Sequence, residues 1–245
     1  MITDLVHPLA WDTEFFGFPI ARVDLDGADA ARLVAIEAEA REKGILCAYG
    51  TIGPEDADLA VLAQRFGHRL VEVALLLNRP KRGFSPPPSP SVVREGSAED
   101  LPLLQDAIQT LGPWSRFGAD PRFGPDRARR MFRAWVERAV EDDERMLSIS
   151  EDETGVTGLS THLRSDPDRI DLMGVTKVGT GASDAMIAFF MDWARTETVE
   201  AGPCAARNVS VLRLLGRCGF RPSRCDYHFH RWFDEDSAVT PSLAM

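Results

Sequence analysis

The stretch RIDLMGVTKVGTGASDAMIAFFMDWART, Arg169 to Thr196, contains three local patterns in succession. Arg169 to Val175 has the composition of a strand, whereas Ala182 to Thr196 is strongly apolar over the length of a helix. Between them the glycine-rich turn GTGAS, Gly179 to Ser183, breaks the chain. A strand, a tight turn and an apolar helix in this order predict an α/β (α+β) fold with helices packed on a sheet.

The residues that follow continue the alternation. Val199 to Ala206 is a weak strand because it contains a Gly-Pro pair, and proline cannot donate to a ladder. Asn208 to Cys218 has the pattern of a helix, with Asn208 as its N-cap and Gly219 as its C-cap. Asp226 to Phe233 alternates apolar and polar residues, which predicts a last strand that closes the sheet.

Three strands at hairpin-like intervals are predicted upstream, at Met146 to Ser150, Val156 to Leu163 and Arg169 to Val175. The turns between them are EDETG and SDPD, and this spacing favours an antiparallel meander. A helix is predicted to begin at Ser97, with Asp100 completing a capping box, and to end near residue 111.

A polar, aromatic loop, GPWSRFGADPRFGPD, follows at residues 112 to 126. Behind it lies an amphipathic helix with an apolar face that contains Met131, Phe132, Trp135, Val136 and Ala139.

Proline divides the chain into two halves. Five prolines between Arg79 and Ser91 preclude a helix and a central strand, so this segment is predicted to be a linker. The half before it has the pattern β-α-β-α-β. We therefore expect an N-terminal domain at 1 to 78, a linker at 79 to 91, a C-terminal domain at 92 to 233 and a disordered tail at 234 to 245.

Composition limits the partners of the chain. A formal net charge of −10 over 245 residues argues against non-specific binding to nucleic acid or to an anionic membrane surface. The sequence has no membrane-spanning apolar run and no signal-peptide pattern at Met1 to Asp12, so we expect a cytoplasmic protein. Arginine in preference to lysine, with abundant alanine and glycine, suggests a bacterial genome rich in G and C. A homodimer is left open.

Metal binding is not expected. The four cysteines have no CxxC spacing, and the one close histidine pair, His228 and His230, lacks a third ligand. We expect reduced, partly buried thiols.

The order of these elements resembles the GNAT superfamily of N-acetyltransferases. More narrowly, three stretches are similar to the bacterial dTDP-fucosamine acetyltransferases, and together they span nearly the whole chain to Phe233. They are LAWDTEFFGFPIARV with Trp11, Phe15, Phe16 and Gly17; SRF at Ser115 to Phe117 with Ala134 and Trp135 behind it; and RNVSVLRLLGRCGF, Arg207 to Phe220, followed by YHFHRWF. The resemblance implies a GNAT fold, a mixed central sheet flanked by helices, preceded by a truncated GNAT-like N-terminal domain.

The resemblance also implies an acyl-CoA site, with acetyl-CoA as co-substrate and no metal. Backbone N–H groups of the glycine-rich turn and the helix N-terminus would face the diphosphate. The strand Asp171 to Val175 would separate from the next strand, so that its free N–H groups bind the pantetheine amide and the thioester oxygen. The implied cofactor-binding residues are Leu172, Met173, Gly174, Val175, Gly179, Thr180, Gly181, Ala182, Ser183, Asn208 and Leu215, with Met173 also catalytic.

Each of these features has a purely structural alternative: a tight turn, a helix cap and a bulge. Two departures from the family pattern also stand out. The turn is about two residues shorter, with Thr180 near the place of an Arg or Gln. Leu215 occupies the position of the tyrosine that protonates the leaving thiolate. Tyr227 is then the candidate catalytic acid, with Cys218 as a second; otherwise the thiolate, of reference pKa about 8.5, leaves without a proton.

The acceptor is expected to be a small-molecule amine, with a TDP-linked amino sugar as the specific candidate. Arg116 could pair with a sugar-nucleotide diphosphate, Phe117 could stack on a base or sugar, and His162 could face the acceptor. The alternative is an aromatic loop packed on the neighbouring helix.

Three functions remain open from the sequence. The first is acetylation of a nucleotide-linked amino sugar. The second keeps the fold but takes the amine of a peptide, an amino acid or a natural product, with an acyl group that could be longer. The third is an inactive protein that binds acyl-CoA or serves as a scaffold.

Overall fold

The computed structural model describes residues 4–164 and 169–234. The predicted turn at 165–168 and the predicted tail, apart from its first residue, lie outside them. The chain forms two compact units: one contains the residues up to Val73 and from Cys225 onward, and the other runs from Ala74 to Arg224. The segment predicted as a linker therefore lies inside the second unit.

The helices and strands alternate along most of the chain. They are β1 Val6–Pro8, α1 Ala10–Phe16, β2 Ile20–Val23, α2 Ala30–Glu42, β3 Cys47–Ile52, α3 Ala57–Arg65, β4 Arg69–Pro80, β5 Val92–Glu95, α4 Gln105–Gln109, α5 Arg116–Ala119, α6 Gly124–Glu141, β6 Arg145–Asp152, β7 Gly155–Leu163, β8 Arg169–Val175, α7 Ala182–Trp193, β9 Thr198–Ala205, α8 Val209–Arg217 and β10 Arg221–Trp232.

The first unit is a small sheet covered by helices. β1 pairs antiparallel with β2, β2 parallel with β3, and β3 antiparallel with β10. The buried faces of α2 and α3 pack on this sheet through Leu33, Ile36 and Ala63, with Phe229 from β10. Two predicted helices and their strands are confirmed here, whereas β1 and the seven-residue helix α1 were not predicted.

The second unit has helices on both faces of a mixed sheet. β6, β7 and β8 form the predicted antiparallel meander, and β5 adds to it by pairing antiparallel with β6. β8 is parallel to β9, and β9 is antiparallel to β4. Leu147, Ile149 and Leu159 face α4 and α6 in one core cluster. Ile170 and Leu77 face α7 and α8 in another. The predicted fold class is thereby confirmed.

Two predictions between β5 and α6 change in detail. The helix predicted from Ser97 onward is a 3₁₀ helix, Ala98–Leu104, that continues into α4. Pro102 lies inside it and removes a backbone donor, which an uninterrupted α-helix would need. Ser97 and Asp100 form the predicted capping box. The aromatic loop contains a 3₁₀ turn, Gly112–Trp114, and the single-turn helix α5.

The segment predicted as a linker at 79–91 begins inside a strand, because Arg79 and Pro80 belong to β4. Residues 81–91 contain no helix or strand, but they are packed. Lys81 Nζ donates to the carbonyl of Ala194 just after α7 (2.6 Å), and Ser89 Oγ donates to the carbonyl of Gly181 just before α7 (3.0 Å). Phe84 packs against the core cluster of α7 and α8. The segment therefore runs alongside α7 from its C-terminus to its N-terminus.

None of the helices in the described part of the chain has both the length and the apolar content needed to span a bilayer.

Candidate functional site

An opening between β8 and β9 is the main candidate site. The ladder between these parallel strands has two pairs, Arg169 with Glu200 and Ile170 with Ala201. Beyond the second pair, Asp171–Val175 of β8 has no ladder partner on β9 among the described residues, although both strands continue. We call this opening the β8–β9 cleft. Its existence agrees with the separation of strands that the family resemblance implies.

The other edge of β8 decides which backbone groups face the cleft. The N–H of Thr176 donates to the carbonyl of Thr157 on β7 (2.9 Å), so Thr176 is in a hydrogen-bonded pair. Hydrogen-bonded and non-hydrogen-bonded pairs alternate along an antiparallel ladder. Val175 opposite Gly158 and Met173 opposite Ser160 are therefore non-hydrogen-bonded pairs. The N–H groups of Met173 and Val175 consequently point away from β7, into the cleft.

Gly174 holds β8 close to helix α4. A Cβ atom at Gly174 would lie 2.7 Å from the carbonyl oxygen of Ala107 and 3.3 Å from Thr110 and Leu111. Only glycine allows this approach, because a contact with backbone cannot be relieved by rotating a side chain. Leu172 packs into the cluster beneath α4 and α6, and Met173 packs on the opposite side against the cluster of α7 and α8.

The glycine-rich turn has the backbone that its sequence predicts. Gly179 and Gly181 have φ of 87° and 84°, values that favour glycine, and α7 begins directly afterwards at Ala182. Thr180 Oγ1 donates to the carbonyl of Lys177 (3.2 Å). Ser183 lies in the first turn of α7, and its neighbour Asp184 accepts two hydrogen bonds from Arg217 Nη2 (2.7 and 2.9 Å). The N-terminus of α7, which is the positive end of its dipole, thus lies beside a carboxylate that is paired with Arg217.

Helix α8 begins with the predicted N-cap, and its buried Leu215 cannot act as a general acid. Asn208 is the N-cap, as predicted, and its Oδ1 accepts a hydrogen bond from Val211 N (3.3 Å). Leu215 is 3% exposed within the core of α7 and α8. Burial raises the pKa of the Cys218 thiol, which lies 3.9 Å from Asp184 Oδ1. Tyr227 lies in the first compact unit, opposite Ile52, so it belongs to a different unit from the other candidates; its catalytic role stays a prediction.

The aromatic loop packs largely on itself. Phe117 is 3% exposed and makes an edge contact with Phe123, with ring centroids 5.2 Å apart. The guanidinium of Arg116 lies over the Phe117 ring at 4.8 Å. Stacking of Phe117 on a base or sugar would therefore require the loop to rearrange.

His162 lies inside the protein. It has no exposed surface, its ring stacks on Phe190 of α7 (5.2 Å, 7° between planes), and its Nε2 is 3.0 Å from Ser160 Oγ. Burial lowers the pKa of His162 to about 4. The ring is therefore neutral at pH 7, and a contact with an acceptor would require α7 to move.

Burial of His162 makes stability depend on pH. Its pKa is 6.5 in the unfolded chain and about 4 in the fold, so the unfolded state alone takes up a proton as the pH falls below 6.5. Stability is complete above pH 6.5 and is lost towards pH 4, by about 2 kcal/mol between pH 7 and pH 5 from this group. Between pH 7 and pH 5, we expect the free energy of unfolding measured in urea to fall by about 2 kcal/mol less in His162→Gln than in the wild type. Equal losses would contradict the assignment.

Arg207 is a residue of this region to which the sequence assigned no role. Its Nη2 donates to the carbonyl of Ser115 (2.8 Å), which joins the β9–α8 connection to the aromatic loop. The two residues are 92 positions apart, and no local pattern signals such a contact.

Solved structures with a similar fold include GCN5-related N-acetyltransferases and proteins of unknown function. A conserved protein of unknown function from Staphylococcus epidermidis is 14% identical, with a TM-score of 0.67; the match covers 94% of this chain and 93% of that one. A GCN5-related N-acetyltransferase from Sphaerobacter thermophilus is 14% identical (TM-score 0.59, 87% and 73% covered). A tandem GNAT protein of the clavulanic acid biosynthesis pathway is also 14% identical (TM-score 0.51, 89% and 76% covered).

These matches establish the fold. The chain has the GNAT fold, a mixed sheet flanked by helices, shared with structures from several sources. No protein-family profile matches the sequence, and no curated protein matches it. The narrower resemblance to dTDP-fucosamine acetyltransferases finds no support in these comparisons.

Proposed function

We propose that the chain is an acyl-CoA-dependent N-acyltransferase that transfers an acetyl group directly to a small-molecule amine. The β8–β9 cleft supports this most strongly, because it leaves the N–H groups of Met173 and Val175 without ladder partners on β9. Unpaired donors on a half-buried strand are costly unless a ligand or water accepts from them. A pantetheine amide and a thioester carbonyl are suitable acceptors.

In this mechanism the lone pair of the amine attacks the thioester carbonyl, and the carbonyl oxygen acquires negative charge. The Met173 N–H donates to that oxygen, where a donor is worth most as the charge develops. When the C–S bond breaks, the thiolate leaves and the amine nitrogen loses its proton, so that an amide and a free thiol are the products. A thiol of pKa about 8.5 is a tolerable leaving group without an acid, which fits the leucine at position 215.

The family resemblance, rather than the cleft, suggests the class of the amine acceptor. A nucleotide-linked amino sugar is our first candidate, and the amine of an amino acid, a peptide or a natural product is the second. Leu215 favours a further candidate, a protein that binds acyl-CoA without turning it over, because the residue that commonly protonates the thiolate in the resembling family is absent at that position.

Thiol release from acetyl-CoA tests these candidates. We expect release above the amine-free background with at least one member of a panel of TDP-linked amino sugars, free amino sugars, amino acids and short peptides. Calorimetry with acetyl-CoA alone should show binding. Binding without release from any amine would identify a binding protein, and no binding at millimolar acetyl-CoA would refute the proposal.

A further inference from the structure

Arg207 lies at the rim of the β8–β9 cleft. It follows the end of β9 by two residues, and its position is fixed by the hydrogen bond from Asn208 N to the carbonyl of Ala205 (2.9 Å). Its side chain is exposed. Arg207 is therefore held in place by its backbone, and its side chain is accessible to a solute.

The contact with Ser115 joins the end of β9 to the loop that follows α4. Helix α4 lies against β8 at Gly174, and the chain continues from α4 through the 3₁₀ turn to Ser115. Arg207 extends from the β9 side and donates to the Ser115 carbonyl. Its guanidinium consequently lies between the C-terminal end of β9 and the loop that follows α4.

The carbonyl that Arg207 binds is itself held in place. Ser115 Oγ donates to the carbonyl of Gly112 (2.9 Å) and accepts from Gly118 N (3.1 Å). A Cβ at Gly118 would lie 2.4 Å from that same Gly112 oxygen, so the loop is closely packed. The guanidinium is thus positioned before any ligand arrives, which reduces the entropy lost on binding.

The chemistry of the group indicates what it binds. A guanidinium has five N–H donors in a planar fork that matches carboxylates and phosphates. Within residues 4–164 and 169–234, Arg207 makes one hydrogen bond, which leaves donors available. We infer, on the basis of the proposed function, that Arg207 is an acceptor-binding residue and that the amine substrate carries a carboxylate or phosphate oxyanion.

The position of the side chain separates this role from acyl-CoA binding. Ser115 follows α4, which packs on the same face of the sheet as α6, whereas the glycine-rich turn leads into α7 on the opposite face. A substitution at Arg207 is therefore expected to change the affinity for the amine and not the affinity for acetyl-CoA.

Paired amines that differ only in the oxyanion test the inference. The pairs are glucosamine 6-phosphate with glucosamine, and glycine with glycinamide, which distinguish a phosphate from a carboxylate. In the wild type we expect kcat/KM to be at least ten-fold higher for the anionic member of one pair. In Arg207→Gln this preference should disappear through a higher KM for the amine, with Arg207→Lys intermediate.

Arg213→Gln is the matched control, because it removes the same charge from an exposed position on α8. It should leave the preference intact. Equal kcat/KM for both members of each pair in the wild type, or a preference that survives Arg207→Gln, would overturn the inference.

Failure of the proposed function can be distinguished from failure of the inference about Arg207. If no amine is turned over, calorimetric titration of glucosamine 6-phosphate and glycine into the protein saturated with CoA still decides the role of Arg207. Binding that is at least ten-fold weaker in Arg207→Gln than in Arg213→Gln supports it. Equal binding, or none, refutes it, and loss of acetyl-CoA binding in Arg207→Gln would reassign the residue to the cofactor.

Discussion

Met173→Pro is expected to lower kcat by roughly 10²–10³-fold, the usual cost of removing one donor to a developing oxyanion. Proline has no backbone N–H, and the N–H of Met173 is the group that points into the β8–β9 cleft at the proposed carbonyl position. Since Met173 and Ser160 form a non-hydrogen-bonded pair, the substitution removes no bond from the ladder with β7. The fold should therefore persist while the donor is lost.

Met173→Leu separates the donor from the side chain. It retains the N–H, so it measures the share of the loss that comes from the thioether packed against the core of α7 and α8. Circular dichroism and the melting temperature of both variants establish that they are folded. If folded Met173→Pro released thiol at the rate of Met173→Leu, the Met173 N–H would have no part in catalysis.

Gly174→Val should destabilise the second unit. Its Cβ would lie 2.7 Å from the Ala107 carbonyl, and neither β8 nor α4 can give way without disturbing the cluster between them. Overpacking of this kind costs about 1–3 kcal/mol. Displacement of α4 would also shift the β8 backbone and the loop at Ser115, so activity should fall even in the fraction that remains folded.

Gly216→Ala is the matched control for Gly174→Val. Gly216 lies in helix α8, an added Cβ there would have no neighbouring atom within 4 Å, and the φ of Gly216 is not positive. Alanine there should raise stability by about 0.5–1 kcal/mol, since glycine weakens a helix. Urea unfolding of the two variants measures both effects. A Gly174→Val protein as stable as the wild type would show that α4 does not press on β8.

Local sequence signals were enough for much of the fold. Asn208 caps its helix because its amide oxygen accepts from the N–H of Val211, and the carboxylate of Asp100 accepts from the N–H of Ser97. The partners of each bond are three residues apart, a relation visible in the sequence. The meander from β6 to β8 was predictable from its turns and alternation. The opening of β8 from β9 was expected from the resemblance, not from the residues of β8 themselves.

Contacts between distant residues could not be predicted in this way. The sequence around His162 predicts a strand but does not show on which face of the sheet the ring lies. Its burial depends on where α7 packs. Phe117 is buried because Phe123 closes on it, although the loop has the polar composition of an exposed segment. Arg207 reaches Ser115, and Ser89 reaches Gly181, each across 92 residues of chain.

The proline-rich segment beside α7 has a consequence for conformational entropy. Pro86, Pro87 and Pro88 restrict φ even in the unfolded chain, so ordering this segment costs less than ordering a flexible loop of equal length. Its two ends, Lys81 and Ser89, bind the carbonyls that flank α7. The helix that follows the glycine-rich turn, α7, is thus held at both ends by a segment whose ordering on folding loses little conformational entropy.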